Sequence, residues 1–518
     1  MRISRRQWVL AQAAALGLTA FTPTWAAEQA LNLAVFPEPK SLLVGWGQTG
    51  PDQLVNGNIY EGLLRYDAQL KPMPGLAESW TISPDLKTYT FKLKKGVKWH
   101  DGDAFDAQDV VFSIDKLARG VNPRARVALA SVDSVQAKDA YTVEIKMKQV
   151  FAPFIGLFDV STMPIAPSHL MDKVEISRKV PDVPLIGTGP YRFKAWEKGS
   201  YIHLSANPSY HEAGVPKIKD VYYHVIPDGA SRAAAFESGK IDVLPGGTVE
   251  YFDVPRLAKL PGAAVTTQGW EKFAPQAWMW INQRNPVFQD LKVRQALNAA
   301  VNRDAMSKIL WGGYALPANG PFQRKTAFHS DQVKQASHDL AAAKAALKAS
   351  GYKGEKLRLV GLPFGETWAR MAEMVRQNLT EAGFNVEIVS TDLAGAVAKA
   401  ANWDFDLAFT FMYQYGDPAL GVSRNWTTSA IAKGSAFNNV GGYSNPQVDE
   451  LFARAASEVD PAKRAADYAS IQKTLVDDVA AVWLLDLNFP TVYRSKVSNL
   501  INSSIGLNDS LGRASIQP

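Results

Sequence analysis

The first half of the chain alternates hydrophobic and polar positions in the way that β-strands do. Tyr89–Lys94 and Tyr141–Met147 both follow a period of two, which is typical of a strand with one buried and one wet face. Between them, apolar residues at positions 110, 111, 114 and 117 predict a short helix over 106–117. We therefore expect the region from about 31 to 285 to be rich in strands.

After about residue 288 the hydrophobic period becomes helical. Apolar positions recur from 293 to 310 and are followed by Gly312-Gly313, which predicts one amphipathic helix over 290–311. Strands are then predicted over 357–362, 384–389 and 405–411, and helices over 366–382, 393–401, 446–457 and 461–477. This alternation of strands and helices predicts a parallel sheet with right-handed crossovers.

The change from a strand-like to a helical hydrophobic period predicts an α/β fold with two lobes. Pro and Gly are scattered as turns and form no long flexible linker, so we expect the lobes to touch. The predicted division is 1–26 for an export signal, 27–280 for a strand-rich lobe I with an extra subdomain, 281–486 for an α/β lobe II, and 487–518 for a return to lobe I.

The N-terminus has the pattern of a signal peptide. Three arginines lie within the first six residues, an apolar stretch covers 8–21, and small residues precede Ala27, so cleavage is expected after Ala26. Ser4–Leu10 resembles the twin-arginine export motif, although Trp8 and Val9 depart from its usual Phe-Leu, and the general export pathway stays open. The sequence thus predicts an exported, soluble, periplasmic protein.

Composition narrows the classes of function. The chain is 47% hydrophobic and 20% charged, as globular proteins are. Its net charge of +6 falls to +3 once the three signal arginines are removed (6 − 3), so we expect no nucleic-acid partner. There is no cysteine, which excludes disulfides, thiolate metal sites, thiol catalysis and a lipidated N-terminal cysteine. We expect a monomer without a lipid anchor.

Catalytic and cofactor signatures are missing from the sequence. It has no G-x-S-x-G motif and no phosphate loop. Gly187-Thr188-Gly189 lacks the third glycine of a dinucleotide fingerprint, and the seven histidines never adopt metal-ligand spacing within one element. We therefore predict a binding protein with no cofactor, no metal and no catalytic residue. A periplasmic hydrolase is the alternative from another class.

Candidate ligand contacts follow the strand predicted over 405–411, because ligands of wound α/β sheets lie beyond the carboxyl ends of the strands. Two tyrosines and two polar groups occupy this loop, although its Gly-Asp-Pro could instead be a plain turn. Further candidates lie near the expected lobe crossover, in a glycine-rich loop and in later loops. Trp278 and Trp280 share one strand face and form a platform if exposed or core if buried. The predicted ligand-binding set is Trp46, Gln48, Thr49, Trp278, Trp280, Asn282, Tyr413, Gln414, Tyr415, Asp417, Arg424, Trp426, Asn438 and Asn439.

Several segments, in order along most of the chain, resemble the extracellular solute-binding proteins of family 5, which serve peptide, nickel and opine ABC importers. The most specific of them is Gly96–Gly102, which reads Gly-Val-Lys-Trp-His-Asp-Gly. The others are 58–64, 76–80, 89–93, 105–110, 187–191, 293–297, 443–446 and 448–449.

This resemblance implies a periplasmic-binding-protein fold that encloses its ligand when two lobes close and then delivers it to a permease in the inner membrane. The implied ligand is a peptide or a peptide-like small polar organic solute. In dipeptide-binding members an acidic residue pairs with the peptide amino group, but Gln414 stands at that position here. An opine, a sugar conjugate or a nickel chelate therefore remains an alternative ligand.

Overall fold

The computed structural model describes residues 30–177 and 179–517. The export signal predicted over 1–26 lies outside the described residues. The described chain forms two lobes, each built around one large sheet, which confirms the predicted two-lobed α/β fold. Among the described residues no helix is long and apolar enough to cross a membrane.

Lobe I contains most of the strands. They are β1 (Leu31–Val35), β2 (Leu64–Tyr66), β3 (Pro72–Pro74), β4 (Ala77–Ile82), β5 (Thr88–Leu93), β6 (Val132–Asp139), β7 (Thr142–Met147), β8 (Tyr191–Glu197), β9 (Tyr201–Ala206), β10 (Asp220–Val225), β11 (Val243–Leu244) and β12 (Ala263–Thr266). Its helices are short: α1 (Gly50–Asn56), α2 (Ala107–Phe112), α3 (Arg119–Val121), α4 (Pro123–Leu129), α5 (Ser168–Met171), α6 (Gly229–Glu237) and α7 (Val254–Leu257).

Lobe II contains the longer helices. Its strands are β13 (Gln276–Ile281), β14 (Ala315–Pro317), β15 (Lys356–Val360), β16 (Asn385–Val389), β17 (Leu407–Met412) and β18 (Ala481–Leu487). Its helices are α8 (Leu291–Ala300), α9 (Arg303–Leu310), α10 (Leu340–Lys348), α11 (Glu366–Ala382), α12 (Leu393–Ala401), α13 (Pro418–Gly421), α14 (Pro446–Ser457) and α15 (Pro461–Asp477). The chain then adds β19 (Thr491–Arg494), β20 (Val497–Ser498) and β21 (Ser515–Ile516) to lobe I.

The main sheet of lobe I has the strand order β12-β19-β11-β1-β10-β9-β8. β1 runs parallel to both β10 and β11. A separate antiparallel sheet, β4-β5-β7-β6, occupies the region expected to hold an extra subdomain. Its strand β5 alternates buried and more exposed residues, as the sequence predicted. The predicted short helix over 106–117 is α2, which continues as a π-helical turn over Ser113–Ala118.

The sheet of lobe II has the order β14-β18-β13-β17-β15-β16. β15 pairs in parallel with both β16 and β17, which confirms the predicted β-α-β-α-β unit. The other pairs in this sheet are antiparallel, so the sheet is mixed. β18 directly precedes the C-terminal return, and every residue of this strand is buried.

Two sequence-based expectations need correction. The single helix predicted over 290–311 is two helices, because the backbone is extended at Val301 and the side chain of Asn302 accepts a hydrogen bond from the Ala305 amide at 2.9 Å, capping α9. The boundary between the two lobes, predicted at residue 280, also lies too far along the chain. β13 pairs with β17 and β18, so lobe II begins before Gln276.

The lobes are joined by one antiparallel pair of chain segments. In lobe I, β12 pairs with β19, and in lobe II their continuations β13 and β18 pair with each other. Between the two sheets, the Leu487 amide donates to the Pro275 carbonyl oxygen at 2.9 Å. The two chain segments that run from one lobe to the other, called the crossings below, thus lie side by side. This arrangement lets two lobes hinge about one narrow strip.

In lobe I, three of the segments that carry the family resemblance contact one another around His100. The Gly187 amide donates to Nδ1 of His100 at 3.2 Å, and Nε2 of His100 lies 3.0 Å from the Gly189 carbonyl oxygen. The Gly189 amide donates to the Ile59 carbonyl oxygen at 2.9 Å. A Cβ on Gly187 would lie 1.9 Å from that same oxygen, so only glycine fits here. These segments therefore specify the scaffold.

The buried His100 is expected to make the stability of lobe I depend on pH. Burial lowers its pKa to about 4, compared with 6.5 for an exposed histidine. The unfolded chain therefore binds more protons than the folded chain between these values, and stability is lost as the pH falls from about 6.5 to about 4. The full loss is about 3 kcal/mol. Chemical denaturation across this range measures it.

The variant His100→Gln should flatten this part of the pH profile. The matched control is His338→Gln, because His338 is exposed. Equal pH slopes in the natural protein and in His100→Gln would show that His100 does not carry the dependence.

Candidate ligand-binding cleft

A cleft lies between the lobes, beside the paired crossings. Its empty volume, counted out to its opening into solvent, is about 730 Å³. From lobe I, Phe36 and Pro245 directly follow the parallel strands β1 and β11. From lobe II, Tyr413 directly follows β17, and Phe364 lies in the loop after β15. The cleft is therefore at the carboxyl ends of parallel strands in both sheets, where α/β folds bind ligands.

Aromatic side chains from both lobes dominate the lining. They are Phe36, Trp270, Phe273, Phe364, Phe411, Tyr413 and Phe489. Their rings form a connected set. Phe36 and Phe364 lie 5.8 Å apart across the lobes, and Phe273 packs against Tyr413 at 4.9 Å. Trp270 meets Phe489 edge-on at 4.9 Å. Such rings supply large contact areas at low cost in conformational entropy.

The polar groups of the lining are neutral. They are Gln53, Thr248, Gln268, Thr491 and Asn508, together with the backbone of several glycines. Among the described residues that line the cleft, none is Asp, Glu, Lys, Arg or His. Burial raises the pKa of the Tyr413 hydroxyl, which stays protonated and neutral. The cleft itself thus offers stacking surfaces and neutral hydrogen-bonding groups, and no charge.

A carboxylate of lobe I caps a helix of lobe II beside the cleft. Glu250 accepts hydrogen bonds from the Glu366 amide at 3.0 Å, the Thr367 amide at 3.1 Å and the Thr367 hydroxyl at 2.7 Å. Gly365 precedes the helix with φ at +98°, and a Cβ there would lie 2.5 Å from the Glu250 carboxylate. The N-terminus of α11 favours negative charge, so this contact stabilises the observed arrangement of the two lobes.

A smaller pocket extends from the cleft past Gly247, Phe364 and Phe489. It contains Glu250 and Arg232. The Arg232 guanidinium is buried and donates to the carbonyl oxygens of Ile226 and Pro227 at 2.8 and 2.7 Å. Its charge is partly balanced by Glu250. Both charged groups of this pocket are therefore already engaged by the protein.

Of the predicted ligand-binding residues, Tyr413 lines the cleft. Gln414, its neighbour, is buried and turned away from it. The side-chain amide of Gln414 donates to Gln276 and Pro321 at 3.0 and 2.9 Å and accepts from the Gln323 amide at 2.9 Å. Gln414 thus holds the loop together, which is a structural role that the sequence did not reveal.

The predicted tryptophans lie in the core of lobe II. Trp278, Trp280 and Trp426 are each at most 2% exposed and pack on one another with ring distances of 5.1 to 6.0 Å. The structure therefore decides for the core alternative at Trp278 and Trp280. Asn282 is also outside the lining, because its amide donates to the carbonyl oxygens of Trp403 and Phe405.

Asp417, Asn438 and Asn439 are engaged in local structure. Asp417 caps α13 by accepting from the Ala419 amide at 3.0 Å and pairs with Arg464 at 2.9 Å. Asn439 holds its turn by bonding to Thr427 and Tyr443, and Asn438 accepts from the Val440 amide through its backbone. These three residues lie outside the lining of the cleft.

Trp46, Gln48 and Thr49, in the glycine-rich loop over 45–50, also have their side chains outside the lining. The Trp46 indole donates to the Ser177 carbonyl oxygen at 2.9 Å, and the Gln48 amide donates to the Val121 carbonyl oxygen at 2.9 Å. Thr49 binds Asp52 at the start of α1 at 2.6 Å. Its successor Gly50 lines the cleft, so the loop reaches the cleft through backbone and not through these three side chains.

Tyr415 and Arg424 lie one ring beyond the cleft. Tyr415 has φ at +55° and is buried against lobe I. Its ring is 6.0 Å from Phe273 and 6.1 Å from Tyr413, both of which line the cleft. Arg424 follows α13 and lies close enough to Tyr415 to interact with it electrostatically.

Sequence reasoning missed most of the lining. Ligand contacts were expected beyond the carboxyl end of one strand only, the strand that is β17 in the structure. The same rule applied to the first strand and to the strand over 357–362 points to Phe36 and Phe364. Trp270, Phe273 and Phe489 come from the two crossings, and residues 501–508 come from the C-terminal return. No local pattern in those segments marks them as lining residues.

No group of three or more His, Cys, Asp or Glu residues within the described ranges could hold a metal ion.

Comparison with known proteins identifies the family. The sequence model of bacterial extracellular solute-binding proteins, family 5 (middle region), matches residues 71–433. The chain is similar to the glutathione-binding protein GsiB of Pectobacterium atrosepticum, with 28% identity over 93% of this chain and 92% of the relative.

Solved structures show the same fold. The periplasmic binding protein DppA of Helicobacter pylori, in complex with the peptide STSA, has a TM-score of 0.82 at 24% identity and covers 95% of this chain and 98% of its own. NikZ of Campylobacter jejuni, in complex with Ni(L-His), has a TM-score of 0.83 at 23% identity and covers 94% and 99%. The family match spans more than half of the chain, so the protein belongs to the bacterial extracellular solute-binding proteins, family 5.

Proposed function

We propose that this protein is the periplasmic substrate-binding component of an ABC importer, and that it captures a small peptide-like solute between its lobes and delivers it to a membrane permease. The observation that carries the proposal is the cleft at the carboxyl ends of strands from both sheets, lined by aromatic rings from both lobes. Closure around a solute lets both lobes contact it at once, and those contacts supply the energy of closure.

Several observations support a peptide-like ligand. GsiB is named as a glutathione-binding protein, and DppA was solved with a peptide. Neutral amide groups and aromatic faces in the cleft suit peptide bonds and apolar side chains. The basic and apolar start of the sequence supports export to the periplasm, and the lack of cysteine supports a protein that carries no lipid. An opine, a sugar conjugate or a nickel chelate is the alternative outcome.

The first test is thermal unfolding of the mature protein with and without glutathione and a pool of di- to pentapeptides. A ligand at 100 times its dissociation constant stabilises the folded state by about 2.7 kcal/mol, so the midpoint should rise by several degrees. Mass spectrometry of the recovered peptides separates binding from hydrolysis, since a binding protein returns them intact. No rise with peptides, but a rise with opines or nickel–histidine, would contradict the peptide assignment.

Removing one ring of the aromatic pair that Phe36 and Phe364 form between the lobes should weaken ligand binding. Phe364→Ala deletes a half-buried ring that contacts Phe36 across the cleft, and we expect a loss of about 1–3 kcal/mol in binding free energy. Titration calorimetry with the ligand from the first test measures it. The matched control is Phe437→Ala, because Phe437 is 57% exposed and lies outside the lining. Equal affinities in both variants would place the ligand elsewhere.

The Glu250 contact should contribute to closure independently of ligand chemistry. Glu250→Gln removes the negative charge at the N-terminus of α11, and we expect the affinity for every ligand to fall about 3-fold to 30-fold. Glu366→Gln is the control, since its carboxylate pairs with Arg370 on the surface and its backbone amide is kept. An unchanged affinity in Glu250→Gln would show that this contact does not favour the closed lobes.

A further inference from the structure

A buried carboxylate lies in lobe II next to the crossings. Asp486 is the penultimate residue of β18 and is 1% exposed. The residue paired with it on β13 is Gln276, which directly follows Pro275 and is fully buried. The Gln276 side-chain amide donates to Oδ1 of Asp486 at 2.8 Å. Both residues thus lie where the two crossings enter the sheet of lobe II.

A chain of hydrogen bonds runs from this carboxylate to the loop that carries Tyr413. Oε1 of Gln276 accepts from the side-chain amide of Gln414 at 3.0 Å. Oε1 of Gln414 in turn accepts from the Gln323 backbone amide at 2.9 Å and from the Thr326 hydroxyl at 2.6 Å. All of these polar residues are buried, so a hydrogen bond left unmade here would be costly.

The two ends of this chain fix its direction. At one end, an ionised carboxylate can only accept, so Gln276 must present its NH₂ group to Asp486 and its oxygen to Gln414. At the other end, the Gln323 backbone amide can only donate, so Gln414 must present its oxygen there. Turning either glutamine would set donor against donor and acceptor against acceptor, so the charge of Asp486 determines how both glutamines are oriented.

The chain ends beside two rings that line the cleft. Gln414 directly follows Tyr413, and its backbone amide donates to the Phe273 carbonyl oxygen at 2.6 Å. The rings of Phe273 and Tyr413 lie 4.9 Å apart, and both belong to the cleft lining. Gln414 thus connects the buried chain to this ring pair.

The second oxygen of Asp486 is held by an ion pair. Oδ2 accepts from the Arg324 guanidinium at 2.5 Å, and the Arg324 side chain is 32% exposed. His329, in the same segment between β14 and α10, also attracts the carboxylate when it is protonated. The residues paired with Asp486 on β13 and β14 are Gln276 and Leu316, which do not titrate. Both carboxylate oxygens are therefore in use as acceptors.

Protonation of Asp486 disrupts this arrangement. A proton on either oxygen turns the acceptor that Gln276 or Arg324 uses into a donor, so one of the two contacts is lost. Burial raises the pKa of the Asp486 carboxyl to about 6, although the contacts with Gln276 and Arg324 act in the opposite direction. The group is therefore ionised at neutral pH and becomes neutral in mild acid.

We propose that Asp486 is a positioning residue of the ligand cleft. Through the two glutamines, its carboxylate holds the rings of Phe273 and Tyr413 in the places where they contact the solute. This role rests on the proposed function, because the two rings are expected to meet a solute captured in this cleft. Asp486 itself lies outside the lining. Its charge acts on ligand affinity through the hydrogen-bond chain, so affinity should fall as the pH falls through about 6.

The first measurement needs no ligand. Trp270 lies 5.8 Å from the Phe273 ring and 6.2 Å from the Tyr413 ring, so its fluorine NMR signal in fluorotryptophan-labelled protein reports on the ring pair. The signal is identified by its loss in Trp270→Phe. We expect a step in its position near pH 6 in the natural protein and no such step in Asp486→Asn. The same step in both proteins, or a step in neither, would overturn the proposal.

A pair of matched variants shows whether the step belongs to Asp486. Arg324→Gln removes the paired cation, so the pKa of Asp486 should rise and the step should move to higher pH. Lys325→Gln is the control, because the Lys325 side chain is also 32% exposed but pairs with Glu271. Its step should stay where it is in the natural protein. Equal midpoints in the two variants would contradict the assignment, as would loss of the step in His329→Gln.

Ligand affinity gives the second readout. Titration calorimetry with glutathione and with trialanine compares neutral with mildly acidic solution. In the natural protein, binding should weaken about threefold to thirtyfold in acid, as expected when a buried hydrogen bond is lost. Asp486→Asn should bind weakly at both pH values, because it resembles the protonated group. Lys325→Gln should follow the natural protein.

The outcomes separate the two proposals. If these peptides bind equally well at both pH values and in Asp486→Asn, the positioning role is overturned while solute capture stands. If neither peptide binds at any pH, the peptide assignment fails, and the Trp270 signal alone decides the role of Asp486. Thermal unfolding checks that Asp486→Asn is folded. If it is not, the midpoints of Arg324→Gln and Lys325→Gln decide in its place.

Discussion

The strip of paired chain between the two sheets is the constraint on which the rest of the structure depends. β12 and β19 pair in lobe I, and the same two segments pair again as β13 and β18 in lobe II. The two crossings run side by side and form one narrow strip, and two lobes joined in this way can hinge about the strip. It also fixes the place of the cleft, since Trp270, Phe273 and Phe489 lie where the strand pairing is interrupted.

Two kinds of contact join the lobes across the cleft, and neither of them needs a ligand. The aromatic pair Phe36–Phe364 gains from burial with or without a ligand. The Glu250 carboxylate satisfies the N-terminus of α11 and also needs no ligand. Contacts of the solute with both lobes would add to these two contacts and favour the arrangement in which the lobes meet.

Much of the fold could be predicted from the chain because it rests on local periodicity. The alternation in Thr88–Leu93 and the strand–helix order of β15 to β17 follow directly from the spacing of apolar residues. The prediction failed where a single side chain changed the local structure, as at Asn302, which caps a new helix inside one continuous amphipathic pattern. It also placed β13 in the wrong lobe, because strand pairing with β17 and β18 is a long-range property.

The sequence by itself determined the family and the strand–helix pattern of both lobes. It also singled out the segments with the glycines and the histidine that meet around His100, because these features depend on short motifs and on local sterics. It also predicted that Tyr413 directly follows a strand, and in the structure this residue lines the cleft. Only the tertiary structure decided that Trp278, Trp280 and Trp426 are core and that Gln414 binds its own loop. A tryptophan or an arginine has the same local pattern in a core and in a cleft, and only the packing of distant segments determines which of the two surrounds it.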